Sequence, residues 1–259
     1  MNANQAFEIL SKSGGLHAAR IVTENTDKFS RLSVWRMARA LRRGVPVAKI
    51  IHQKWFYGLR FYTNKYTLDP RPDTETLVAA VIADVPNKNA DISILDLGTG
   101  TGCIAAALAK NLGGAHVVAI DQSRRAARVA RKNIRNLGLS GRVDVQIANF
   151  ARPRAISGHF DIIVSNPPYI ARGDTRVDTG AMHDPKIALY AGNNGFAAYA
   201  DIAKNARNWI RPGGRIYLEI GDGAGPGVQK IFTDAGWIFV NQLPDLAGIN
   251  RVMIFSGPK

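Results

Sequence analysis

Cysteine is almost absent from this chain: Cys103 is the single thiol in 259 residues. One cysteine excludes an intramolecular disulfide and a multi-cysteine zinc site, and it suits a reducing, cytoplasmic setting. Long apolar runs are missing too. None approaches the ~20 residues that a membrane-spanning helix requires, so no membrane contact is expected. The opening MNANQAFEILSKSG has no basic segment followed by an apolar one, and no secretory leader is expected. His17, His52, His116, His159 and His183 are scattered without ligand spacing, so no metal site is expected. Neither an internal repeat nor a low-complexity tract is present.

Acid is the other shortage. Asp and Glu number 20 against 34 Lys and Arg, a net charge of +14. From Arg31 to Arg60 there are eight basic residues and no acid. Arg124, Arg125, Arg128, Arg131, Lys132 and Arg135 form a second acid-free cluster. Charge on this scale speaks of partners and solubility rather than of fold. It fits a partner that is RNA or works beside RNA, such as a ribosome, and it equally fits a solvated basic surface. No aromatic-interleaved RNA-binding motif accompanies it.

What is present begins with an ordinary globular composition, 46% hydrophobic and 21% charged. ISILDLG (92–98), HVVAID (116–121), VDVQIA (143–148), FDIIVS (160–165) and RIYLEIG (215–221) are short runs rich in Ile and Val, as buried strands are. Helical patterns lie between them at 103–112, 123–137 and 196–210, with Ser123 as an N-cap and Asn136-Leu137-Gly138 as a stop. This alternation predicts an α/β fold with right-handed crossovers and a parallel sheet covered on both faces. GWIFVNQL (236–243) and RVMIFS (251–256) lie too close for a helical crossover, so the last strand should run antiparallel. Ahead of the sheet, helix-like stretches at 5–11 and 28–43 precede a hairpin pattern, FYGLRFYTNKYTL (56–68), turning at Gly58. The expected organisation is a small helical domain (1–48), a β-hairpin linker (49–70) and the α/β domain (71–259). Trp35, Trp55, Trp209 and Trp237 are expected to pack in the core or against the hairpin.

Three constellations carry chemistry. DLGTGTG (96–102) lies between an expected strand and an expected helix, where its glycines permit a tight turn and close backbone approach to a ligand. Its spacing is neither the dinucleotide fingerprint nor a P-loop. Asp121 ends the second strand, placed to accept hydrogen bonds from both ribose hydroxyls of an adenosine. Together they point to an adenosine-containing cofactor. Asp96 and the antiparallel last strand favour S-adenosylmethionine over a nicotinamide dinucleotide.

The third constellation, Asn166-Pro167-Pro168-Tyr169, ends the fourth strand and should face the same crevice. An amide or exocyclic amine is a weak nucleophile, because its lone pair is delocalised. The Asn166 side-chain carbonyl and the Pro167 backbone carbonyl can hold its two N–H groups, and Tyr169 can stack on the planar group. The prolines supply carbonyls without competing donors and preset the backbone.

These residues resemble class I S-adenosylmethionine-dependent methyltransferases with an Asn-Pro-Pro-Tyr motif, Rossmann-like enzymes with a seven-stranded sheet and an antiparallel last strand. RRGVPVAKII (42–51), FYGLRF (56–61), LDPRPDTETLV (68–78), DPKIALYAGNNGFAAYADI (184–202), LEIG (218–221) and DLAGINRV (245–252) narrow the likeness. They are similar to the HemK/PrmC-type protein-(glutamine-N5) methyltransferases. The resemblance implies methyl transfer from S-adenosylmethionine to the side-chain amide nitrogen of the Gly-Gly-Gln glutamine of a peptide chain release factor. It also implies a monomer whose helical N-terminal domain docks the substrate.

Carried onto this chain, the resemblance places Asp96, Gly98 and Gly100 at the cofactor's amino-acid end, with Thr99 and Gly102 in the same loop. It places Asp121 at the ribose, Asn149 near the adenine, and Asn166, Pro167, Pro168 and Tyr169 on the target amide, with Asn166 also touching the cofactor. Arg71, Pro72 and Thr74 would shape the pocket, with Glu219 nearby. Asp73 stands where the family usually has Glu, and Asn149 and Asn194 replace common aspartates. Two other readings stay open. One is an amino-group methyltransferase acting on adenine in RNA or DNA, favoured by the +14 charge. The other is a diverged, non-catalytic homologue that binds cofactor or RNA, motivated by Asn149 and the short stretch before the hairpin.

Overall fold

The computed structural model describes residues 1–152, 156–171, 173–174 and 179–257. Helix α1 (Ala3–Glu24) is capped by Asn2, whose side chain accepts from the Gln5 N–H, and it is broken at Gly15. Helix α2 (Arg31–Arg42) follows, capped by Ser30. Ala6, Leu10, Ala19 and Val22 of α1 meet Val34, Ala38 and Leu41 of α2 in a small core of their own. Spacings of three and four put these residues on one face of α2 and on one face of α1 within each half either side of Gly15. Polar and glycine residues between Ser11 and Gly15 hide the second half of α1 from a purely apolar pattern.

Helix α3 (Val47–Ile51) leads into the hairpin β1 (Gln53–Phe56) and β2 (Leu59–Tyr62). Tyr57 (φ 48°) and Gly58 (φ 72°) make its turn, the pair of left-handed residues that a tight two-residue hairpin needs. The Tyr57 N–H donates to Glu75 Oε1 at 2.7 Å. The buried Asn133 side chain accepts from the Tyr62 N–H at 2.8 Å and donates to the Tyr62 and Thr101 carbonyls, each at 2.9 Å. The hairpin is thereby tied to the glycine loop.

The remaining elements are α4 (Asp73–Asp84), β3 (Ile92–Leu97), α5 (Cys103–Asn111), β4 (Ala115–Asp121), α6 (Arg124–Asn136), β5 (Val143–Ile147), β6 (Phe160–Ser165), β7 (Ile170–Ala171), α7 (Lys186–Leu189), β8 (Tyr190–Ala191), α8 (Ala197–Asn205), β9 (Ile210–Glu219), α9 (Gly225–Asp234), β10 (Ile238–Pro244) and β11 (Asn250–Ser256). Seven strands form the main sheet in the order β10-β11-β9-β6-β3-β4-β5. The pairs joining β9, β6, β3, β4 and β5 are parallel, and β11 lies antiparallel between β9 and β10. Alternate residues of each strand feed two cores. Ile94, Ile162 and Val164 face α4, α5 and α6, while Leu95, Leu97 and Ile163 face α8 and α9. The chain reverses direction across the sheet between β3 and β6, so the carboxyl ends of these two strands flank the switch point where α/β sheets bind ligands.

Two expectations are corrected. The helical pattern at 196–210 splits, with α8 ending at Asn205 and a 3₁₀ turn leading to β9. Trp209 and Trp237 are buried, but Trp35 and Trp55 are 53% and 65% exposed. Trp35 lies on the outer face of α2, 5.5 Å beneath the Arg39 guanidinium, and Trp55 faces outward opposite Arg60 on the hairpin. Helices α4 and α9 are additions that the sequence patterns did not announce. No helix among the described residues is long and apolar enough to cross a membrane.

Candidate active site

β3 ends at Leu97 in the middle of the sheet, and the chain must turn at once into α5. The turn runs through Gly98, Thr99 and Gly100, and Gly100 sits at φ 57°, a backbone region that side chains resist. The Gly98 and Thr99 N–H groups donate to the Ile120 carbonyl at 2.9 and 2.8 Å. The Gly100 N–H donates to Asp121 Oδ2 at 3.0 Å, and the Ser123 N–H donates to Asp121 Oδ1 at 2.8 Å. One carboxylate thus pins the glycine loop to the start of α6, and each oxygen keeps a lone pair for a ligand. Burial pushes the Asp121 pKa up, and the two N–H bonds oppose the shift.

Asp96 lies fully buried beneath this loop. Its Oδ2 accepts from the Thr99 hydroxyl at 2.6 Å, whereas among the described residues no donor reaches Oδ1 in full hydrogen-bond geometry. Burial lifts its pKa to about 7, against the pull of the Thr99 hydroxyl and of the Ala105 N–H at the start of α5. A buried carboxylate oxygen without a partner is costly, and a cationic group beside it would relieve that cost.

β6 stops at Ser165, whose hydroxyl donates to the Leu97 carbonyl at 2.8 Å. Asn166 therefore emerges beside the glycine loop. Its Nδ2 donates to Thr74 Oγ1 at 3.0 Å, and the Thr74 hydroxyl donates to Glu219 Oε2 at 2.6 Å. Thr74 lies in the first turn of α4 and Glu219 ends β9, the strand beside β6. The Tyr169 hydroxyl reaches Glu219 Oε1 at 3.4 Å. Its ring lies against Gly221 and its carbonyl against Gly195, where a Cβ would collide with that carbonyl. Burial raises Glu219 to about 7, with the Thr74 hydroxyl pulling the other way and the Asp73 carboxylate adding to the rise.

Two clefts meet at Asn166. The first is lined by Tyr66, Gly98, Gly100, Asp121, Gln122, Phe150 and Pro168. The second is lined by Arg71, Asp73, Pro167, Tyr169, Glu219 and Arg251. Leu68, Asn166 and Ala188 line both. Asp96, Thr99 and Thr74 stand behind these walls, and Pro72 precedes α4. Gly102 lies against Ala130 and lets α5 approach α6. Asn149 lies just behind the first cleft's wall, between the lining residues Ala148 and Phe150: its Oδ1 accepts from the Ala151 N–H at 2.8 Å, and its Nδ2 donates to the lining residue Gln122 at Oε1, 3.1 Å away. Gln122 and Phe150, which sequence reasoning missed, are part of that wall. Among the described residues, no group of three or more His, Cys, Asp or Glu could hold a metal ion.

A release factor glutamine methyltransferase from Cereibacter sphaeroides is 36% identical over 258 residues, covering 97% of this chain and 90% of that protein. The chain belongs to the release factor glutamine methyltransferase family. Another relative of that name, from Neisseria gonorrhoeae, is 38% identical over 221 residues, covering 85% of this chain and 79% of its own. The family model of the methyltransferase small domain matches residues 73–183. A methyltransferase from Pyrococcus furiosus shares the fold, with a TM-score of 0.59 at 19% identity, over 86% of this chain and 98% of that one.

In this member of the glutamine methyltransferase family, a buried lysine braces the clefts from behind. Lys49 Nζ meets Asp69 Oδ1 and Asp184 Oδ1, each at 2.8 Å, and donates to the Asn64 carbonyl at 2.8 Å. Arg71 Nη2 meets the other Asp184 oxygen at 3.0 Å. The cage joins α3 to the 63–71 segment, which carries Leu68, and to the segment that carries Ala188. Within a basic stretch Lys49 reads as a surface residue, and only its distant acidic partners explain its burial.

Proposed function

We propose that this chain transfers a methyl group from S-adenosylmethionine to the side-chain amide nitrogen of the Gly-Gly-Gln glutamine of a peptide chain release factor. The observation that carries the reading is Asn166, which lies where the two clefts meet with its Nδ2 committed to Thr74. Its carbonyl oxygen is left as an acceptor for a planar –NH₂ group.

The first cleft suits the cofactor chemically. Asp121 offers acceptors for ribose hydroxyls, and Tyr66 and Phe150 offer aromatic surface for the adenine. The unpartnered Asp96 oxygen is the natural partner of an ammonium. Bound there, S-adenosylmethionine supplies an electrophilic methyl whose sulfonium leaves as a neutral thioether. The chain's own contribution is positioning. Asn166 Oδ1 and the Pro167 carbonyl accept the two N–H groups of the target amide, Tyr169 covers its face, and the nitrogen is aimed at the first cleft. After methylation the nitrogen is strongly acidic and loses a proton without needing a strong base.

In this reading residues 1–48 dock the substrate, 49–70 form the hairpin linker, and 71–259 carry out the transfer, in a cytoplasmic monomer. The basic outer face of α2 contacts the ribosome on which release factors work. The test is incubation with labelled S-adenosylmethionine and, separately, a release factor, its Gln→Ala variant and total RNA. Label in the unmodified factor alone is expected, and label confined to RNA would replace this reading with adenine methylation.

A further inference from the structure

We propose that Glu219 and Thr74 form a positioning relay that decides which end of the Asn166 amide faces the target nitrogen. The inference rests on the amide-clamp reading above. An asparagine side chain is nearly symmetric in shape, yet one end accepts hydrogen bonds and the other donates them. Reversed, Asn166 would set its own N–H groups against those of the target amide, and the clamp would repel what it must hold. Something has to choose the end.

The Thr74 hydroxyl has a single proton. Glu219 Oε2, buried and 2.6 Å away, takes it. Toward Asn166, Thr74 Oγ1 can then only accept, and Nδ2 fills that role at 3.0 Å. Oδ1 is turned to the ligand side as a consequence. The three residues come from the first turn of α4, the end of β6 and the end of β9, so tertiary structure, not local sequence, sets the orientation.

Glu219 is faced by other groups from every side. Tyr169 reaches Oε1 at 3.4 Å, and the Tyr199 hydroxyl donates to the Glu219 main-chain carbonyl at 2.9 Å. Asp73 and Arg251 act on its carboxylate through their charges, as it acts on Cys103. Among the described residues only Thr74 connects it to Asn166. Protonation reverses the logic. A neutral Glu219 donates to Thr74, whose own proton is then free to bond Asn166 Oδ1 and turn the amide round. The carboxyl's rise to about 7 through burial places that reversal within reach of neutral pH.

Thr74→Val keeps the side-chain shape and removes the hydroxyl, while Thr74→Ser keeps the hydroxyl. With release factor as substrate, Thr74→Val should lower kcat by about tenfold or more, leaving KM and cofactor Kd within about threefold, and Thr74→Ser should restore kcat. The kcat of the unmodified enzyme should rise to a plateau through about pH 7, and Glu219→Gln should abolish that ascending limb. A readout free of turnover is ¹⁵N NMR of the Asn166 side-chain NH₂, assigned by its loss in Asn166→Leu. One of its protons should be protected from exchange in the unmodified protein and in Thr74→Ser, and unprotected in Thr74→Val. Unchanged protection and unchanged kcat in Thr74→Val would overturn the relay. Loss of protection as expected, with no methyl transfer to release factor even by the unmodified chain, would leave the relay standing and overturn the proposed substrate instead.

Discussion

Asn166 can be removed without disturbing what holds the glycine loop, because among the described residues its only side-chain bond runs to Thr74. Asn166→Ala should therefore lower turnover by roughly 10²–10³-fold, the cost of losing one preorganised hydrogen-bonding group at a reacting centre. Calorimetry should give a cofactor Kd within a few-fold of the parent. Asp96 and Glu219 make a second prediction, because burial raises both to about 7. The folded state holds these two protons to higher pH than the unfolded chain does. Their contribution to stability is full below the ordinary carboxylate range and is lost as pH rises to about 7. Ligand-free protein should lose stability on titration from about pH 5 to pH 7, and Glu219→Gln should flatten part of that slope in thermal melts. A melting curve with no slope in this window would show that neither acid is perturbed. At this scale the strand-ending turn was legible and its support only in part, because the family resemblance put Thr74 and Glu219 near the site without showing that they bond each other and Asn166. Asn-Pro-Pro-Tyr announces itself by two prolines ending a strand, whereas Glu219 and Thr74 are 145 residues apart and meet only in the fold.

The elements divide along similar lines. β3, β4, β5, β6 and β9 were readable because strands covered on both faces become continuous Ile/Val runs, and the antiparallel ending followed from a connection too short for a helix. Helix α4 was hidden because Thr74, Leu77, Val78, Ala80 and Val81 are all buried, so its apolar residues fill more than one face and blur the helical period. Helix α9 opens Gly-Pro-Gly, turn chemistry on its face, although a proline in the first turn costs a helix nothing. The Lys49 cage shows what the connections between elements are worth. Lys49→Met would leave Asp69 and Asp184 buried together without their shared cation. Breaking a buried ion pair from one side costs about 3–5 kcal/mol, a fall in Tm of about 10 °C for a chain of this size. Lys49→Met combined with Asp184→Asn should recover part of the loss, since one of the stranded charges is gone. The single variant should also raise KM, because the cage braces the segments carrying Leu68 and Ala188.

For the whole molecule the open question is what its +14 charge serves. The outer face of α2 and its C-cap present Arg31, Arg36, Arg39 and Arg43, and none of them has an ion-pair partner among the described residues. Trp35 lies exposed beneath Arg39, so an aromatic surface expected in the core or against the hairpin lies among these charges. A face that only keeps the protein soluble and one that meets ribosomal phosphates differ in their response to salt. Phosphate contacts release counterions, so log K falls linearly with log salt, and each lost contact lowers that slope by about 0.9 on duplex nucleic acid. Arg36→Gln/Arg39→Gln should therefore weaken binding to ribosomal RNA fragments and reduce the salt slope by about 2, as measured by fluorescence polarisation. Its kcat on free release factor should stay unchanged, because both clefts are built from other elements. An unaltered slope would assign the charge to solubility. A raised KM for free release factor with an unaltered RNA slope would assign this face of the substrate-docking segment to the release factor rather than to the ribosome.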